Sequence, residues 1–117
     1  MNRSLIIITV CLSSFICNSA RSQSQPELNA AADAEYQKAD ARLNTTYKKL
    51  LAKLDDEGKK KLIAAERAWV AYRDAQADFE ADAAARGGSM EPMEYSNSCL
   101  ELTEARVKQL EKAISED

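Results

Sequence analysis

A chain of 117 residues with 45% hydrophobic and 30% charged residues has the composition of one small globular domain, not of a disordered or fibrous polypeptide. A formal net charge of -3 argues against general affinity for nucleic acid, and the absence of histidine removes the commonest general base and zinc ligand. Three cysteines and three glycines supply no zinc-finger spacing, phosphate loop or dinucleotide fingerprint.

The chain opens with Arg3, an apolar stretch over residues 5 to 17, and the polar run NSARSQSQ. This is the layout of a secretory signal peptide, and the stretch falls short of the roughly 20 residues of a membrane span. Small residues at Ala20 and Ser22 suit a signal peptidase, so residues 1 to 22 read as the leader and 23 to 117 as a periplasmic or secreted domain. Cleavage after Ala20 is the alternative. A lipid anchor on Cys17 is disfavoured, because Ser14-Phe15-Ile16 lacks the small residue expected just upstream. Losing the leader removes Arg3 and Arg21 and leaves 14 basic and 19 acidic residues, a net of -5. It also removes Cys11 and Cys17, so Cys99 is expected to be either buried and inert or the route to a covalent homodimer.

From Leu28 the apolar positions recur in threes and fours through Ala32, Tyr36, Ala39, Leu43, Tyr47, Leu50 and Leu54, which predicts a helix over 26 to 54. Pro26 suits its first turn. Asp55 or Asp56 can cap a second helix over 57 to 86, whose stripe is Leu62, Ala65, Trp69, Tyr72, Gln76, Phe79 and Ala83. Gly87 offers a left-handed stop. A loop over 87 to 98 then leads to a third helix over 97 to 115, with Ser96 or Ser98 as its cap. No stretch alternates with period two. The fold class is therefore all-α, an elongated antiparallel three-helix bundle of two long helices and a shorter third.

Tyr36, Tyr47, Trp69, Tyr72 and Phe79 read as core, with Trp69 and Tyr72 facing the first helix. Arg73 stands one turn after Trp69, where its guanidinium can cover the indole or reach Asp40 or Asn44 across the helix pair. The segments Ala39-Asp40-Ala41-Arg42-Leu43-Asn44-Thr45-Thr46-Tyr47, Glu66-Arg67-Ala68-Trp69-Val70-Ala71-Tyr72-Arg73-Asp74 and Cys99-Leu100-Glu101-Leu102-Thr103 together resemble the LprI-like family of small exported bacterial helical proteins, named after a lysozyme inhibitor. The likeness spans about Ala32 to Leu110. It makes Asp40, Asn44, Tyr47, Arg67, Trp69, Tyr72, Arg73 and Cys99 the structural motif, and it implies a binding protein, not an enzyme. The resemblance also implies cysteines at the positions of Ala31 and Ala77; both are alanine here, so the disulfide it implies is missing. Glu66 replaces a glutamine.

Charge is unevenly spread. Residues 74 to 104 hold eight acids against Arg86, whereas residues 38 to 61 hold eight bases against four acids. An antiparallel hairpin puts these at opposite ends of the rod. The acidic end, with Asp78, Asp82, Glu91 and Glu94, suits a basic partner such as a lysozyme, and Met90, Met93 or Tyr95 in the loop could supply an apolar anchor. Met90, Met93 and Cys99 could in principle offer soft sulfur to monovalent copper, but methionines folding over the bundle end is the simpler reading, so no cofactor or metal is assigned. The functional expectation is an exported binding module that inhibits lysozyme or a related envelope hydrolase. The alternative is a structural or protein-interaction domain of the cell envelope.

Overall fold

The computed structural model describes residues 22 to 116, so the expected leader lies outside the described residues except for Ser22. Three helices follow in order: α1 (Gln25–Lys53), α2 (Asp56–Ala85) and α3 (Glu91–Glu116). Among the described residues there is no strand, and no helix is long and apolar enough to cross a membrane.

Local chemistry fixes each boundary. Ser24 and Glu27 form a reciprocal capping box, with Pro26 in the first turn of α1. Asp55 caps α2, its Oδ1 accepting the Gly58 N–H at 2.8 Å. At the far end of α2, Gly87 takes a positive φ of 68° beyond Arg86. α3 begins earlier than expected, at Glu91, so the connection is only residues 86 to 90. Pro92 had read as loop, but proline costs nothing in a first helical turn, and Glu91 and Glu94 favour the positive end of the dipole. Ser96 and Ser98, expected as caps, therefore lie inside α3, and Ser96 is buried.

Side-chain bridges give the topology. Gln25 meets Met93, Arg42 meets Glu104, and Lys53 donates to the Ile114 carbonyl, so α1 and α3 run parallel. α2 runs antiparallel to both, pairing Glu66 with Arg106. α3 packs along both other helices, while the backbones of α1 and α2 scarcely approach one another.

Residue size explains this arrangement. Near the α1–α2 turn, Leu43, Leu50, Val107 and Leu110 form an aliphatic core with Tyr47, Leu62 and Trp69 packed on it, each fully buried leucine contributing roughly 1.5 to 3 kcal/mol. Further along, the buried positions are small: Ala39, Ala77, Ala81, Cys99 and Thr103. Small residues let α3 seat close to its neighbours. Long side chains then span the wider gap between α1 and α2.

Two aromatic expectations are corrected. Tyr72 is 55% exposed and Phe79 66% exposed, so neither is core and Tyr72 does not face α1. The inward face of α2 is set by Arg73, Ala77 and Ala81. Tyr72 stands about 100° round the helix from Arg73, and Phe79 is on the far side from both alanines.

Candidate functional site

Because α1 and α2 are held apart, they leave a groove of about 670 Å³ lined by Asp40, Leu43, Asn44, Tyr47, Ile63, Glu66, Arg67, Val70 and Arg73. Its size is that of a small-ligand site, and its walls mix apolar side chains with a few polar ones. Five residues of the expected motif meet here: Asp40, Asn44, Tyr47, Arg67 and Arg73. Trp69 lies behind it against the core, Tyr72 points to solvent, and Cys99 is fully buried on α3.

Arg73 organises the groove. It is only 7% exposed, its Nη1 lies 3.3 Å from Asp40 Oδ1, and its Nε donates to Asp74 Oδ1 at 2.8 Å. Its guanidinium carbon sits 5.4 Å from the Tyr36 ring centroid and 5.3 Å from that of Trp69. Burial works against its charge, yet the hydrogen bond to Asp74 and the surrounding negative potential prevail and raise its pKa. A second guanidinium, that of Arg106 on α3, lies 5.7 Å from Trp69 and binds Glu66 Oε2 through Nε at 3.1 Å and Nη2 at 3.0 Å.

Both groove acids are thus bound to arginines. Arg67, by contrast, is exposed and makes no ion pair among the described residues, and Asn44 beside it is exposed as well. These are the groove's outward polar groups, a pattern suited to recognition. Sequence reasoning named Arg67 and Asn44 but missed the Glu66–Arg106 pair. The signal for that pair was weak, because an acid and a base forty residues apart on different helices share no spacing rule.

At the other end of the molecule, Asp78, Glu91 and Tyr95 line a shallow hollow with Gly87 and Gly88. Asp82 is bound by Arg86, with contacts of 2.8 and 2.6 Å, and Glu91 Oε2 accepts the Gly87 N–H at 2.7 Å. Glu94 is half-buried in the first turn of α3. Met90 is 45% exposed, while Met93 turns inward so that its sulfur lies 3.8 Å from Gln25 Nε2. Tyr95 packs inward too: burial, with Cys99 beside it, pushes its pKa up to about 12. Burial likewise pushes the Cys99 thiol up, which favours its protonated form.

Comparison with known proteins gives the chain's family. An uncharacterised protein of Rhizobium meliloti (strain 1021) is 39% identical over 104 residues, covering 78% of this chain and 74% of that one. No solved structure matches the chain significantly. The family described as Lysozyme inhibitor LprI matches residues 17–110, which takes in the groove, the acidic end and most of α3. By that match and its relative, the chain belongs to the lysozyme inhibitor LprI family.

Proposed function

We propose that this chain is an exported, non-enzymatic binding module that inhibits lysozyme or a related envelope hydrolase. The observation that carries the reading is the family match across residues 17–110. The leader-like start supports export to the periplasm or beyond. Asp40 and Glu66, the acids of the groove, are tied to arginines, which supports binding over acid–base work.

The contact is assigned to the acidic end, where Asp78, Asp82, Glu91 and Glu94 gather around the α2–α3 turn. Their field attracts a basic hydrolase and speeds encounter, while Met90 is the apolar group that the α2–α3 turn itself exposes. Met93 and Tyr95 hold the turn from beneath, a supporting part. Within the turn, Glu94 is the cleaner probe, because Glu91 also binds the Gly87 amide.

Immobilised lysozymes of several classes, probed at two ionic strengths, test this. Glu94→Lys with Glu91→Lys should slow association and flatten its salt dependence, whereas reversing Lys59, Lys60 and Lys61 at the other end should do little. Equal effects from both ends would refute the acidic-end contact. Absence of binding to every lysozyme would favour the alternative, an envelope interaction domain without inhibitory activity.

A further inference from the structure

No described residue covers the outer face of α2. Its buried positions, Arg73, Ala77 and Ala81, turn inward. On the other side Ala65, Ala68, Tyr72, Ala75 and Phe79 are all exposed, and both rings are more than half open to solvent. Their spacing of three, four, three and four is that of a coiled-coil seam, running about 21 Å along the helix. None of the five is charged. Continuing the same spacing outward gives Lys61 before the seam and Asp82 after it, with Asp78 flanking Phe79. Two large aromatic rings on one uncharged helical strip, closed by opposite charges, are the makings of an interface.

We propose that a second copy of this chain docks on this face, α2 against α2 and antiparallel, about a two-fold axis. Charge selects the orientation. Antiparallel pairing sets the basic start of each α2 beside the acidic end of the other, twice by symmetry, while parallel pairing sets lysine on lysine and aspartate on aspartate. Size selects the register. With Lys61 of one copy level with Phe79 of the other, each Tyr72 lies over the other copy's Ala68, and Ala65 lies against Ala75. The rings fill the space that the alanines leave open. Each Phe79 then rests on the aliphatic stem of the opposing Lys61, whose ammonium is within reach of Asp78. Neither this pairing nor the proposed inhibition requires the other, but both use Asp78, so the two compete at that carboxylate.

Sedimentation of the purified protein across micromolar to sub-millimolar concentrations, at low and high salt, tests the proposal. A dimer is expected that weakens as salt rises. Phe79→Glu or Tyr72→Glu should weaken it roughly 30-fold or more, as for a central interface anchor, with the helical circular dichroism unchanged because both rings are exposed. Lys61→Glu alone or Asp78→Lys alone should weaken it by roughly three- to tenfold at low salt, and the double variant should restore it. That rescue belongs to the antiparallel pairing, since parallel copies meet like charge with like before and after each swap. A monomer at every concentration, a dimer indifferent to Phe79→Glu, or no rescue in the double variant would overturn the proposal.

Discussion

Arg73 on α2 reaches Asp40 on α1 at 3.3 Å while its guanidinium is flanked by the rings of Tyr36 and Trp69. This one side chain links helices whose backbones barely meet, and so it fixes the width of the groove between them. Removing it would leave Asp40 and Asp74 without their cation and two rings without their filling. Because both acids are partly open to water, the cost falls below that of a fully buried pair.

Arg73→Ala is therefore expected to destabilise by about 2 to 3 kcal/mol, and Arg73→Lys by more than half of that, since an ammonium neither stacks flat on the rings nor serves two acids at fixed geometry. Thermal unfolding followed at 222 nm would show it. A lysine variant as stable as the parent would mean that charge alone, without the planar stack, holds the junction.

Ala77 and Cys99 are both fully buried on facing helices. The α2–α3 register, read from Glu66 with Arg106 and from Glu80 with Ser98, sets residue 77 opposite residue 99. Ala77→Cys is expected to form a bridge with Cys99 on oxidation, closing a loop of some twenty residues and stabilising by roughly 3 kcal/mol. Intact mass under non-reducing conditions, with and without alkylation, reads the outcome. A dithiol that persists under oxidation would show the register to be shifted.

Thr103 is completely buried, and among the described residues its Oγ1 has no hydrogen-bond partner. A hydroxyl in that position loses its hydration without recompense. Thr103→Val keeps the shape and removes the orphaned oxygen, so it should raise stability by about 1 kcal/mol, or some 4 to 8 °C in Tm for a domain of this size. Differential scanning calorimetry decides it. A lower Tm would mean that the hydroxyl is paired in solution.

The three helices were legible because each rests on local rules: apolar residues in threes and fours, Pro26 in a first turn, Asp55 as a cap, Gly87 as a stop. The contact between Arg73 and Trp69 was legible for the same reason, being four residues apart on one helix. Tyr72 and Phe79 were misread because large aromatic residues are usually core, and nothing in α2 alone says that its inward face is made of an arginine and alanines. That choice is made by α3, whose Cys99 and Thr103 admit only small neighbours. The start of α3 was misread because Pro92 signals loop and first helical turn alike. The groove was least visible of all, since it depends on how far α1 and α2 stand apart.

Tyr95 is expected to ionise late. Its folded pKa is pushed up to about 12 by burial, followed by the neighbouring Cys99, against an ordinary value near 10. A raised value means that the fold favours the protonated phenol. The stabilisation is therefore complete below about pH 10 and is lost as pH climbs from there towards 12. Burial raises Tyr36 in the same direction. Tyrosinate absorbance and helical circular dichroism followed together through this window should show a late rise accompanied by loss of helix. In Tyr95→Phe the latest part of the absorbance rise should vanish, and unfolding should lose much of its dependence on pH there. If the parent shows no such late rise and its helices stay intact through the window, Tyr95 faces water and is available as an anchor at the acidic end after all.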